Sequence, residues 1–258
     1  MKNIKIIVAT HKTYLMPADS LYLPLFVGAA GKPDIGYIRD DTGDNISDKN
    51  PYYCELTGLY WAWKNLSADY IGLVHYRRHF MSGKKYGDFM SRVLSYDEAE
   101  TVFQNTDVIL PKMRNYFIEN LYDHYKHTLY VEPLDKAGEI LKEFYPEYYP
   151  EFLRLKVRKK AHMFNMMVMK KEILDDYCTW LFDILFKLDK VVDKSGYDSF
   201  HSRYLGRISE LLLDVYINTR GIKYIEIPFG SPERTNWLKK GTGFLRAKFF
   251  GNKYKKSF

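Results

Sequence analysis

Residues 4–10, Ile-Lys-Ile-Ile-Val-Ala-Thr, form a short apolar run rich in β-branched side chains and bounded by polar residues. That pattern suits a strand buried on both faces, as strands of a parallel sheet are. "YIGLVHYRRHF" (70–80) reads as a second strand and "TDVILPK" (106–112) as a third, stopped by Pro111. Between the first two lies "DDTGDNISDKN" (40–50), a turn-rich loop ending at Asn50-Pro51. Asn as N-cap and Pro at the first helical position predict a helix start there. Leu56, Leu59, Tyr60 and Trp63 then recur at helical spacing.

The stretch 122–152 reads as two helices, broken near Pro133 and again between Pro146 and Pro150. "HMFNMMVMKK" (162–171) resembles a buried strand, and 172–192 and 207–220 read as helices. A last strand is predicted in "IKYIEIPF" (222–229). Strands alternating with helices predict one α/β domain over residues 1–233 with a mostly parallel sheet. The remaining residues, 234–258, form a separate tail.

That tail carries eight Lys or Arg and no acid, so the overall charge of +7 leaves the other 233 residues at −1. Interleaved aromatics fit contact with an anionic membrane surface, with nucleic acid or plain solvation as the rival roles. The 23 tyrosines suit sugar or nucleotide surfaces, or reflect the composition of the source genome. Only two cysteines occur, Cys54 and Cys178, without disulfide or zinc spacing. The chain is expected to be soluble and to reside in a reducing cytosol. The first apolar run is too short for a signal-peptide core, and no stretch is long enough to span a bilayer.

Phosphate-binding glycine loops, a Gly-x-Ser-x-Gly elbow, His-Glu-x-x-His and Cys-x-x-Cys are all missing from the sequence. The densest candidate site is His75, Arg77, Arg78 and His79. Strand alternation places His75 and Arg77 on one face and Arg78 on the other. Guanidinium forks at a strand end match a phosphate or diphosphate, or else pair with acids of neighbouring loops. Asp40, Asp41, Asp44 and Asp48 offer oxygens for a divalent cation, for turn formation, or, at Asp40 or Asp41, for a ribose hydroxyl. Glu55 and Glu210 sit in apolar company, as general-base candidates or as carboxylates favoured by a helix N-terminus. Asn165, inside an apolar run, either braces a loop or meets a ligand. His124 and His127 have helical spacing that suits metal binding or surface and capping roles.

"DDTGDNISDKNPYYCELTGLYWAWKN", "DYIGLVHYRRHF", "FNMMVMKKEILDDYCTWLF" and "GRISELLLDVYI" resemble the bacterial capsular and exopolysaccharide synthesis domain catalogued as DUF4422. That family is associated with glycosyltransferases, including galactofuranosyltransferases. The resemblance runs over roughly residues 4–220. It implies a GT-A-like, Rossmann-type α/β fold with a central sheet flanked by helices. The activity it implies is inverting transfer of a hexosyl group from a UDP-sugar to a lipid-linked glycan at the inner membrane face.

On this resemblance Glu210 is the general base, and His75, Arg77 and Arg78 neutralise the leaving diphosphate. Donor contacts are expected from Thr10, His11, Asp40, Asp41, Asn45, Asn50, Glu55, Lys64 and Asn65. Acceptor or sugar contacts are expected from Asn165, His127 and Arg203. His-Tyr-Arg-Arg stands where related folds carry an acidic Asp-x-Asp motif, so no metal ligand is assigned and dependence on Mn²⁺ or Mg²⁺ is doubtful. The rival classes are a nucleic-acid-binding module, which is not expected, and a metal-dependent hydrolase.

Overall fold

The computed structural model describes residues 2–233. The basic tail expected to touch membranes lies outside the described residues. In chain order the strands and helices begin with β1 (Ile4–Thr10), β2 (Tyr22–Phe26), β3 (Ile38–Arg39), α1 (Asn50–Tyr53), α2 (Leu56–Asn65), β4 (Tyr70–His75) and β5 (His79–Phe80). Next come α3 (Tyr96–Val102), β6 (Val108–Pro111), β7 (Arg114–Asn115), α4 (Leu121–Thr128), α5 (Glu132–Phe144) and α6 (Tyr149–Val157). The last are β8 (Lys160–Ala161), β9 (Met167–Lys170), α7 (Lys171–Val191), α8 (Tyr204–Thr219), β10 (Ile225–Ile227) and β11 (Phe229–Gly230).

Seven strands form the main sheet in the order β10-β6-β9-β4-β1-β2-β3. Every pairing is parallel except those of β9, which runs antiparallel to both β4 and β6. Ile4, Ile6, Ile7, Val8, Ile71, Leu73 and Val74 have no exposed surface, the burial expected for strands covered on both faces. One apolar cluster joins the sheet to α2 and α4–α8, and a second joins the opposite face to Phe80, Val93, Leu94, Ala99 and Phe103. Helix starts follow local chemistry: Ser95 and Glu98 form a capping box on α3, Asn120 caps α4, and prolines occupy the first turns of α5 and α6.

Four expectations need correction. The strand predicted over 70–80 ends at His75, where Tyr76–Arg78 turn back and β5 follows. Strict alternation therefore does not set which way Arg77 and Arg78 point. The helix predicted from Asn50 breaks at Cys54, whose φ of 53° and ψ of −128° lie outside helical space. Asn50 is already helical, and its amide donates to the Cys54 carbonyl and the Thr57 hydroxyl instead of capping. The middle holds three helices, because each proline region opens a new one. Finally, α8 begins at Tyr204, so Glu210 stands in its second turn, beyond the reach of N-terminal dipole stabilisation.

The polarity of β9 positions the site. Because β9 opposes β4, the residues entering it sit at the C-terminal edge of β4. Leu73 faces Met167, and one step further the Phe164 carbonyl accepts a hydrogen bond from His75 Nε2 at 2.8 Å.

Candidate active site

Phe164 and Asn165 are consecutive residues with φ of 75° and 52°. Left-handed backbone suits Asn but costs about 1–3 kcal/mol for a bulky residue, and such strain collects at functional sites. Asn165 is fully buried with its side-chain amide fully engaged. Its amide donates to Glu55 Oε1 at 2.6 Å and to the Gly206 carbonyl at 2.8 Å, and its oxygen accepts the Ser209 hydroxyl at 2.6 Å. Asn165 thus clamps the β9 entry to α8 and to Glu55. The strained Cys54 immediately precedes Glu55, so two of the four non-glycine residues with positive φ among the described residues, Cys54 and Asn165, adjoin one carboxylate.

Glu55 is buried at the N-cap position of α2 but caps nothing with its side chain. Glu210 faces it from α8. Burial pushes the Glu210 carboxyl up to about 7, and the Glu55 charge adds to the shift, against a backbone hydrogen bond from Phe164 and the charges of Arg78 and Arg207. Burial and the neighbouring Glu55 charge both disfavour the ionised form, so Glu210, which keeps part of its surface exposed, is poised to exchange a proton near neutrality.

Arginines ring the pair. Arg78 lies 4.2 Å over the Phe164 ring with Glu210 and Glu55 as charge neighbours. Arg203 donates from Nε to Cys54 Sγ at 3.1 Å and also feels both glutamates. Arg207 stacks 3.8 Å over Phe200, one helical turn before Glu210. Burial and the neighbouring Glu55 charge hold the Cys54 thiol protonated, at about 11.

A second cationic group forms the rim. Arg77 points away from the carboxylates, over Tyr76 and toward Glu233 at 3.4 Å. His11, edge-on to Tyr76, has Lys12, Arg77, Lys32 and Arg203 as cationic neighbours. Burial first, then these charges, depress its pKa and keep the imidazole neutral. Thr10, at the end of β1, donates its hydroxyl to the Lys12 carbonyl at 2.6 Å. The C-terminal ends of β1 and β4 therefore meet a basic mouth above an acidic floor.

Two histidines of the 75–79 cluster carry no charge near pH 7. Burial lowers the His75 pKa despite Glu55, and the Phe164 carbonyl can only accept, which assigns the hydrogen to Nε2. His79 is fully buried, with its pKa lowered to about 4. Charge stabilisation in this cluster rests on the two arginines, and His75 is a neutral hydrogen-bonding group.

Other expected site residues are engaged elsewhere. Asp40, fully buried, accepts from the Gly28 and Ala29 N–H groups and from the Ser47 and Thr57 hydroxyls. Asp41 holds Arg39 through two bonds of 2.7 and 3.0 Å. Asn45 closes its own turn with Gly43 and Ser47. Asn65 ties the end of α2 to Asp44, and Lys64 lies 3.5 Å over Trp63. Both stand about 15 Å from Glu55, the length of that ten-residue helix. His127 pairs with Glu119 at 3.0 Å, and His124 lies near the same carboxylate. Sequence reasoning missed Arg207, Lys12 and Lys32; for Arg207 the available signal was its i, i+3 spacing to Glu210.

Among the described residues no group of three or more His, Cys, Asp or Glu comes together to hold a metal ion. A divalent cation, which GT-A-like folds imply, does not fit the donor set of the described residues. Several tyrosines, Tyr125, Tyr130, Tyr197 and Tyr204, gather with His201 beside Arg207. No described helix is long and apolar enough to cross a membrane.

The model of a family described as a domain of unknown function (DUF4422) matches residues 5–221. Among solved structures, the apo structure of WbbM, a bifunctional glycosyltransferase, matches with a TM-score of 0.83 and 32% sequence identity. The match covers 89% of this chain and 45% of that one, so the chain spans less than half of WbbM. No curated protein matches the sequence. With most of its length matched and a mostly parallel, helix-flanked GT-A-like sheet, the chain belongs to the DUF4422 family.

Proposed function

We propose that residues 2–233 form a nucleotide-sugar-dependent glycosyltransferase domain that inverts the configuration of the transferred sugar. The observation that carries this reading is Glu210, raised to about 7 beside Glu55 within a ring of arginines at the strand ends. The GT-A-like fold shared with a bifunctional glycosyltransferase supports it.

Glu210 in its ionised form takes the proton from an acceptor hydroxyl as that oxygen attacks the anomeric carbon. The glycosidic bond to the diphosphate breaks, and the nucleotide diphosphate leaves with the electron pair. A general base of this kind is worth about 10²–10⁴ in rate, most when its pKa lies near the working pH. Arg78, Arg77 and Arg203, with the Lys12 and Lys32 rim, offset the charge that develops on the leaving diphosphate. His75 and Asn165 position the Phe164 segment and Glu55 around that centre.

The donor is a UDP-hexose, galactofuranose included, and the acceptor a lipid-linked glycan of capsule, exopolysaccharide or O-antigen synthesis. Thermal-shift measurements with UDP, GDP, CMP and their sugars test the donor. Selective stabilisation by UDP species is expected, because a ligand that binds only the folded state raises the melting temperature. Equal, negligible shifts with every nucleotide would sink the reading. Activity surviving EDTA is the expected companion result, and complete loss reversed by Mn²⁺ or Mg²⁺ removes the arginines from the leaving-group role.

A further inference from the structure

β7 and β8 form a two-stranded antiparallel ribbon, with Arg114 opposite Ala161 and Asn115 opposite Lys160. Past β7 the chain turns at Phe117, a non-glycine residue with φ of 51°. The turn holds Phe117 and Ile118 outward, 75% and 58% exposed among the described residues. The strained turn thus presents two large apolar side chains to water.

The end of α6 lies alongside. Leu153 and Val157, one turn apart on the same helical face, are 45% and 72% exposed. Lys159 joins the two parts: its carbonyl accepts from the Tyr116 N–H at 2.8 Å, and its Nζ donates to the Phe117 carbonyl at 3.2 Å. Residues 153–161 contain five Lys or Arg and no acid, and residues 111–118 contain Lys112 and Arg114 and no acid. Neighbouring acids are engaged, the buried Glu119 that follows Ile118 by His127, Glu151 by Arg154 and Arg158, and Asp135 by Lys156. Lys112, Lys159 and Lys160 are exposed.

Large apolar tips set among exposed cations match the interfacial zone of an anionic bilayer, where rings enter the headgroup boundary and lysines meet the lipid phosphates. We infer that this ribbon docks the protein onto an anionic lipid surface, with Phe117 and Ile118 entering the interface and Lys159 and Lys160 contacting headgroups. The surface adjoins the candidate active site. Arg114 is a charge neighbour of Arg78, and β8 runs directly into the segment that ends at Phe164 and Asn165. Docking here turns the basic mouth toward a membrane. The inference rests on the lipid-linked acceptor reading only for its purpose; vesicle binding needs neither donor nor acceptor and stands apart from transferase activity.

The test uses the full chain with vesicles of phosphatidylcholine alone or mixed with phosphatidylglycerol. Because the basic tail adds attraction of its own, the decisive readout is local. In Phe117→Trp, emission should shift to the blue and be quenched by brominated lipids in anionic vesicles, beyond the signal of the native tryptophans. The double variant Phe117→Asn/Ile118→Ser keeps a residue that tolerates the left-handed turn. It should bind anionic vesicles about tenfold more weakly, with a melting temperature within about 2 °C of the parent. Undiminished vesicle affinity in the double variant, or an introduced indole that stays quenched only by aqueous agents, overturns the inference. So does a concentration-dependent dimer that the double variant abolishes while vesicle binding persists, which would assign the patch to a second copy of the chain.

Discussion

Two polar loops flank the sheet, and they handle charge in opposite ways. The acidic loop around Asp40–Asp48 closes on itself: Asp40 accepts four donors, Asp41 holds Arg39, and Asn65 grips both the N–H and carbonyl of Asp44. The cationic turn at 75–79 sends Arg78 toward Glu55 and Glu210 and Arg77 toward the rim. The contrast follows from reach. A short aspartate side chain finds backbone N–H groups and hydroxyls within its own turn. Arginine outreaches its turn and meets groups remote in sequence, Glu210 and Glu233 among them. Charge density in a sequence therefore marks a site only where local partners cannot absorb it.

The largest expected effect lies on the cationic side. Glu210→Gln should lower kcat about 10²–10⁴-fold while leaving donor KM within a few-fold, since in the proposed mechanism the group acts on the acceptor proton. The wild-type kcat should fall below pH 7 as Glu210 protonates. Glu55→Gln removes the like charge and should move that acid limb to lower pH. An acid limb that stays in place in Glu55→Gln would show that the two carboxylates do not interact.

Next comes the acidic side, where the effect is on folding. Asp40→Ala leaves the Gly28 and Ala29 N–H groups and the Ser47 and Thr57 hydroxyls without their shared acceptor in the interior. The expected cost is about 3–4 kcal/mol, read by denaturant unfolding. Asp40→Asn should recover part of it. If Asp40→Ala instead abolished donor binding with unfolding unchanged, the two loops would have to exchange roles.

Much of the fold was legible in the sequence, because buried strands and amphipathic helices follow from apolar periodicity. Direction was not: "MMVM" is apolar throughout, and burial on both faces reads the same whether a strand runs parallel or antiparallel. The turn after His75 carries no Gly or Pro to announce it, and the break at Cys54 falls where Leu56, Leu59 and Tyr60 keep helical spacing. At the site, the sequence marked Arg77, Arg78 and Asn165 as unusual. It offered no way to see that burial strips His75 and His79 of charge, since that depends on packing from β9 and the second apolar cluster. The prominence of Glu210 came from family resemblance; its pairing with Glu55 needed the chain crossing that only the fold supplies.

A smaller effect separates catalysis from stability in the same residue. The Glu210 carboxyl is raised in the folded state, so its favourable contribution is complete below the ordinary glutamate range and is lost as pH rises through about 7. Glu210→Gln should accordingly be more stable than wild type at pH 8, by about 1–3 kcal/mol, with the difference closing near pH 4. Melting curves of both proteins across that range provide the check. A variant less stable than wild type at pH 8 would mean that the surrounding arginines outweigh burial and the Glu55 repulsion.

The smallest effect belongs to Asp41, whose sign is opposite. Its hydrogen bonds with Arg39 hold the carboxyl below the usual aspartate range, so the contribution is present above that range and lost as pH falls through the lowered value. Both partners are about a quarter exposed, and solvent screening leaves the pair weak. Asp41→Asn should lower the melting temperature by no more than about 3 °C at pH 7, less in high salt and less again as acid protonates Asp41. Donor affinity should not change, because Arg39 keeps its bonds to the Ala29 and Lys32 carbonyls. Loss of donor binding in Asp41→Asn, with stability intact, would place part of the acidic loop inside the nucleotide site and erase the distinction between the two loops.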